Sequence, residues 1–235
     1  MIGTELLDDP AADPHAVQTE LRDIARLNAL FGGTRAVLGA LDPFFRRSCN
    51  GPRATYDVQW TLLDVGTGLG DIPRAAARAA RRHGITLRLV GIERNRTAAR
   101  LARGDGRDEP LASIVADGGA LPLPSRSVDV IVASQVLHHV PRARAGRWIT
   151  ELDRVARRAV VLADLRRSRI AMAGVWAACF GLAMDGVTRH DAVTSLRRGY
   201  SRLELDAMLT EAGVPARARH RAGFRIVAAW EPTGR

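Results

Sequence analysis

Lysine is missing altogether: all 35 basic side chains are arginine, set against 25 acids for a formal charge of +10. One basic residue type replacing the other, in a chain also rich in alanine, reads as the coding bias of a GC-rich bacterial genome rather than as a selected basic patch. The arginines are spread along the chain and alternate with apolar residues on predicted helices. Charge dispersed in that way favours solubility more than it selects a partner, so no specific nucleic acid is expected. Cysteine is nearly absent too. Cys49 and Cys179 stand far apart and outside any CxxC or metal-ligand spacing, which points to free thiols in a reducing compartment. The opening Met1-Ile2-Gly3-Thr4-Glu5 lacks the basic and then apolar character of a secretory leader, so a cytoplasmic location is expected. Long hydrophobic runs are lacking as well. The longest, Ile170 to Met184, is shorter than the ~20 residues a bilayer requires and contains two glycines, so it reads as a buried or pocket-lining helix and not as a membrane span.

What is present is a core-forming chain, 46% apolar, long enough for one large domain. Residues 1–14 read as a mobile, acidic, proline-punctuated tail. Apolar residues at helical spacing then run from His15 to about Phe31. Gly32-Gly33 separates them from a second helix, Thr34 to about Arg47, and the segment around Asn50-Gly51-Pro52 reads as a loop. Beyond it strands alternate with helices: strands at Gln59–Val65, Leu87–Ile92, Ser113–Ala116, Val128–Ala133 and Ala159–Ala163, helices at Ile72–His83, Thr97–Arg103 and Ala143–Arg157. That order predicts βαβ units and a parallel sheet. Ser201-Arg202-Leu203-Glu204 is a capping box opening a helix that reaches Ala212. Ala216–His220 and Phe224–Trp230 then read as a closing antiparallel hairpin.

The most informative segment is Leu62-Leu63-Asp64-Val65-Gly66-Thr67-Gly68-Leu69-Gly70-Asp71. A strand that runs into glycines and then a helix lets a ligand approach the backbone, with the N–H groups of the helix start at hand. A dinucleotide fingerprint, G-x-G-x-x-G, needs its third glycine where this chain has Asp71, so that reading fails. Glu93 ends the next strand, where a carboxylate can accept hydrogen bonds from both hydroxyls of a ribose. Val115-Ala116-Asp117-Gly118 closes the third strand, and Ser127-Val128-Asp129-Val130-Ile131-Val132-Ala133-Ser134-Gln135-Val136-Leu137-His138-His139 forms the fourth with its following loop.

These four motifs, over about residues 58–165, resemble those of class I S-adenosylmethionine (SAM)-dependent methyltransferases. The resemblance implies an α/β, Rossmann-like, seven-stranded and mostly parallel sheet with an antiparallel C-terminal hairpin, N-terminal helices and a helical insert as lid. It divides the chain into an N-terminal tail and helical lid over 1–56 and a SAM-binding domain over 57–235, with the insert at about 166–200. It implies cofactor contacts at Asp64, Gly66, Thr67, Gly68, Gly70, Glu93, Arg94, Asp117, Gly118 and Ser134, with Asp64 toward the SAM amino group and Asp117 toward the adenine amine.

The methyl acceptor is bounded by exclusion. The fourth-strand end reads Ser134-Gln135-Val136-Leu137, not the Asn/Asp-Pro-Pro-aromatic motif of nucleobase amino-methyltransferases. Neither cysteine stands in the Pro-Cys or Thr-Cys context of cytosine C5 enzymes, and Asp164-Leu165 lacks the Asp-Asn pair of the metal-dependent catechol type, so no metal site is evident. What remains is similar to the small-molecule branch, including quinone-biosynthesis and polyketide-associated enzymes of bacterial natural-product biosynthesis. A small, aromatic or polyketide-like hydroxyl is therefore the expected acceptor. An RNA or protein substrate met by the basic surface, and SAM binding without catalysis, are the alternatives. The loop after the fourth strand offers His139 as first candidate base and His138 as second, because an imidazole titrates near neutrality. His190 in the insert is a further candidate; Asn28 and Arg35, flanking the Gly32-Gly33 turn, could touch substrate or the SAM carboxylate, with exposed helix positions the preferred reading of both. Monomer and homodimer are both open.

Overall fold

A computed structural model describes residues 5–9, 11–49, 58–104 and 109–233; the predicted loop after Cys49 lies outside them. Two helices come first, α1 (Pro14–Leu30), N-capped by the Asp13 carboxylate, and α2 (Gly33–Cys49). Then follow β1 (Val58–Val65), α3 (Asp71–Arg81), β2 (Ile85–Glu93), α4 (Arg96–Arg103), β3 (Leu111–Val115), β4 (Val128–Ser134), α5 (Arg142–Val155) and β5 (Ala156–Leu165). The insert forms α6 (Arg169–Gly181) and α7 (Gly186–Arg198), and α8 (Arg202–Glu211), β6 (Arg219–Arg221) and β7 (Arg225–Trp230) complete the chain. Ser201 and Glu204 form the predicted capping box of α8.

The seven strands lie in the order β3-β2-β1-β4-β5-β7-β6. The first five are parallel, and β7 runs antiparallel to β5 and to β6, as the hairpin pattern predicted. Both faces of the sheet are covered, which is why β4 is an almost unbroken apolar run, buried from Val128 through Ala133. Trp148, Ile149, Leu152, Leu205 and Leu209 of α5 and α8 pack on one face. Val37, Leu41 and Phe45 of α2 and the alanines of α3 pack on the other. Because the strand order reverses between β1 and β4, a crevice opens at the carboxyl ends of these strands. α1 crosses above it with contacts to α2, α4 and α7.

Residues 5–9, read from sequence as part of a mobile tail, are docked. Leu6–Asp8 forms a 3-10 turn whose Leu6 N–H donates to Asp191 of α7 at 2.7 Å. Arg198 at the end of α7 holds Glu5 and Asp8 at 3.0 Å each, which gives the acidic segment its anchor. The apolar run of α6 is divided rather than buried throughout: Ala171, Gly174 and Val175 line the crevice, while Ile170, Trp176 and Phe180 are exposed. Among the described residues no helix is long and apolar enough to cross a membrane.

Candidate active site

Closed over by α1, the α6–α7 hairpin and the Leu6–Asp8 turn, the crevice becomes a cavity of about 800 Å³. One end is built by the β1–α3 loop. Gly66 turns at φ +71, and a Cβ there would lie 2.4 Å from Val136 Cγ2, so only glycine fits. Its N–H donates to the Ile92 carbonyl at 2.8 Å, tying the loop to β2. Glu93 is fixed from both sides, accepting from Gly68 N–H and from Asn95 N–H at 3.1 Å each. A carboxylate so held still has lone pairs for a ligand. Asp64 is 2% exposed at the end of β1. Burial pushes its carboxyl up to about 8; the Thr67 hydroxyl beside it works against that rise, and Asp71 and Glu93 add to it.

Asp117 and Gly118 form the floor after β3. One Asp117 oxygen accepts from Gly119 N–H at 2.9 Å, and the Gly118 carbonyl accepts from the Trp148 indole at 2.8 Å, which fixes the loop. Ser134 ends β4 on the cavity wall, as do Thr67 and Arg94. Arg94 reaches toward the docked N-terminal turn, 3.4 Å from the Asp8 carbonyl. Of the ten residues expected to meet a cofactor, Gly70 alone stands off the wall. It precedes α3 at φ +73, and a Cβ there would lie 2.5 Å from Arg74 Nη1, so its glycine is required by packing behind the loop.

The two histidines share the 3-10 turn Leu137–His139, which the buried Tyr200 hydroxyl fixes by donating to the Leu137 carbonyl at 3.0 Å. The His138 side chain is 2% exposed and its Nδ1 lies 2.7 Å from Asp164 Oδ1. Its Nε2 is buried without a partner, and His138 is among the residues that line the cavity. Burial alone would raise the Asp164 carboxyl. The charge of His138 and hydrogen bonds from its ring, from Leu165 N–H and from His138 N–H hold it below the usual carboxylate range instead. His139 lies at the rim with its Nδ1 3.1 Å from Asp8 and its Nε2 3.6 Å from Glu5. Glu5, His138 and His139 bring donor atoms within 4.8 Å of one another, and the Arg198 guanidinium already supplies the positive charge there.

Beyond the histidines the cavity is walled by apolar residues such as Ile24, Phe31, Ala171 and Val175, with buried polar groups at two places. Glu20 of α1 stands with Asp191 of α7; burial and then that neighbouring acid raise its carboxyl well above the ordinary range. Asn28, expected on an exposed helix face, is 4% exposed and accepts from Gln135 Nε2 and Arg225 Nη2. Arg35 is exposed, and His190 is exposed on the far side of α7, off this cavity. Sequence reading weighed Asp164 only as a metal ligand and passed over Glu20, Asp191 and Arg225. Two signals were available: an acid at the carboxyl end of the apolar strand β5, and an acid on the inward stripe of α1 between Val17 and Ile24.

Residues 63–163, from β1 to the end of β5, match the family model described as a methyltransferase domain. No curated protein matches the chain. Among solved structures it is similar to a SAM-dependent methyltransferase from Aquifex aeolicus, 18% identical, with 94% of this chain and 99% of that one covered and a TM-score of 0.61. It is also similar to magnesium protoporphyrin IX methyltransferase from Synechocystis PCC 6803 with bound S-adenosylhomocysteine (SAH), at 16% identity, 92% and 87% coverage and TM-score 0.58. Human N-acetylserotonin methyltransferase in complex with SAM follows at 11% identity, 95% and 57% coverage and TM-score 0.64. At such identities the likeness establishes the fold.

Proposed function

We propose that this SAM-dependent methyltransferase transfers methyl to the hydroxyl oxygen of a small, largely apolar acceptor, an aromatic, quinone-like or polyketide-like phenol, with His138 as the base. The observation that carries this reading is the Asp164–His138 pair: the ring keeps an unpartnered Nε2, and His138 lines the same cavity as the glycine loop. Enclosure by α1, the insert at about 166–200 and the docked turn supports a small molecule over an RNA or protein side chain.

The residues at the loop end suit SAM. The cradle at Gly66 excludes any Cβ, and a cationic amino group beside Asp64 would return that buried acid to its charged form. Asp64 would hold the amino group, Glu93 the ribose hydroxyls, Asp117 and Gly118 the adenine, and Gly66, Thr67, Gly68 and Ser134 the methionine portion. When bound, SAM supplies an electrophilic methyl carbon. The chain's own work is positioning and proton removal. With its Nδ1–H donated to Asp164, a neutral His138 keeps a lone pair on Nε2 and takes the acceptor's hydroxyl proton. Asp164 stays ionised and stabilises the imidazolium that results. His139, paired with Asp8 and Glu5, keeps the rim closed.

The test is calorimetry with SAH followed by mass spectrometry of a panel of phenols, hydroxyquinones and polyketide-derived hydroxyls. His138→Asn is expected to lower kcat by about 100-fold, within the usual contribution of a positioned base, while leaving SAH affinity nearly unchanged. His139→Asn is expected to change kcat by only a few-fold. An undiminished rate in the His138 variant, or preferential methylation of RNA or protein, would overturn this reading.

A further inference from the structure

Arg225 opens β7 opposite Leu165 of β5 and is 5% exposed. Its Nη2 donates to Asn28 Oδ1 at 3.3 Å, but its Nε and Nη1 have no acceptor. Among the described residues no carboxylate lies within salt-bridge distance of its guanidinium. Asp164 is the negative charge acting on it, and that carboxylate is already occupied by the His138 ring and by the His138 and Leu165 N–H groups. A buried cation left in this state is costly, and folded chains rarely keep one without a reason. Burial accordingly pulls its pKa down to about 10.

The surroundings are shaped to keep the guanidinium in place. Gly33 packs against it so closely that a Cβ there would lie 2.6 Å from Asn28 Oδ1 and 3.4 Å from Arg225 Cζ. The same Asn28 oxygen accepts from Gln135, which holds a left-handed φ of +59 immediately after Ser134. Phe31, Leu165 and Phe224 give an apolar wall beside Arg225, and all of them border the cavity.

We infer that Arg225 anchors an anionic head on an otherwise apolar acceptor: an oxyanion conjugated to a ring, as in an aromatic carboxylate or an ionised enol. The anion supplies the acceptor that Nε and Nη1 lack, and its apolar body lies along Phe31 and Phe224. Asp164 neighbours both Arg225 and His138, so the anchored molecule shares a wall with the proposed base. This assignment rests on the methyltransferase reading for the use of the bound anion, whereas the anion site itself is a matter of binding.

The experiment is calorimetry on the full chain, with and without saturating SAH. Two anions are paired with neutral counterparts: 2-naphthoate with 2-naphthamide, and 4-hydroxycoumarin at a pH where its enol is ionised with coumarin. At least one anion is expected to bind tenfold or more tightly than its neutral counterpart, and the stronger anion identifies the head group. Arg225→Gln is expected to abolish that preference without lowering the melting temperature, because it removes an unpaired buried cation. Arg225→Lys is expected to retain part of the preference. Equal binding of acid and neutral forms, a preference that survives in Arg225→Gln, or a failure of that variant to fold would each overturn the inference, the last by making Arg225 structural. SAH that fails to bind would instead overturn the methyltransferase reading and leave the anion preference standing.

Discussion

At Gly66, on the wall of the cavity, the backbone turns left-handed within reach of Val136. Gly66→Ala meets two penalties. A left-handed φ costs an L-residue about 1–2 kcal/mol, and the new methyl overlaps Val136. The expected outcome is a lower melting temperature and a loss of SAH binding of at least tenfold by calorimetry; tight binding by the variant would show that the loop can move aside. Gly68 and Gly70 were equally legible as glycines but not in their roles. Gly68 offers its N–H to Glu93, whereas Gly70 packs against Arg74 away from the cavity. A spacing motif records that a side chain is not tolerated; it does not record which neighbour forbids it. The two histidines show the same limit. Adjacent in sequence and alike in chemistry, they diverge because Asp164 reaches only one of them.

The Leu6–Asp8 turn, α1 and the α6–α7 hairpin together make the roof, and the turn is its lightest part. Glu5 and Asp8 pair with Arg198, Asp8 lies beside Arg94 and His139, and Leu7 packs into the small cluster around Val17 and Leu21. Partly exposed ion pairs contribute up to about 1 kcal/mol each, so loosening the set shifts closure by a factor of roughly ten. Substituting Glu5→Gln and Asp8→Asn together is expected to weaken SAH binding three- to tenfold while leaving the melting transition cooperative. Added salt is expected to weaken the parent toward the variant. An affinity unchanged in the double variant would mean that the turn plays no part in closure. Nothing local marks these residues. Glu5 and Asp8 look like a solvated acidic tail until α7 brings Arg198 to them across most of the chain.

For the molecule as a whole, its buried acids set the pH response of the ligand-free state. Unfolded, Asp64 and Glu20 ionise in the ordinary carboxylate range near pH 4. Folded, Asp64 is pushed up to about 8 by burial, and Glu20 is raised by burial and by Asp191. Between those limits the folded state holds protons that the unfolded state has released, so stability declines as pH rises from about 4 to about 8. Asp164 has the opposite sense, and its contribution is lost only as pH falls below the ordinary carboxylate range. The melting temperature of ligand-free protein is therefore expected to fall by a few degrees from pH 5.5 to 8. Glu20→Gln, which keeps a donor toward Asp191 but cannot ionise, is expected to flatten that decline and to melt higher at pH 8. A parent whose stability is flat or rises over this interval would contradict the buried-acid account.

By itself the sequence determined what is written in local pattern. The βαβ alternation specified the parallel sheet, the strand-turn-strand pattern around Ala222-Gly223 specified the antiparallel hairpin, and the acid-glycine loop with Glu93 and Asp117 marked one end of the cavity. These features were legible because periodicity, turn chemistry and strand-end acids act within a few residues of one another. The other end was decided by the tertiary structure. Arg225 with Asn28, Glu20 with Asp191, His138 with Asp164, and Glu5 with Arg198 join residues from distant segments. None of these polar groups, taken alone, shows which partner it meets. Only packing removes the water around it and names its partner, and burial of that kind depends on the whole fold.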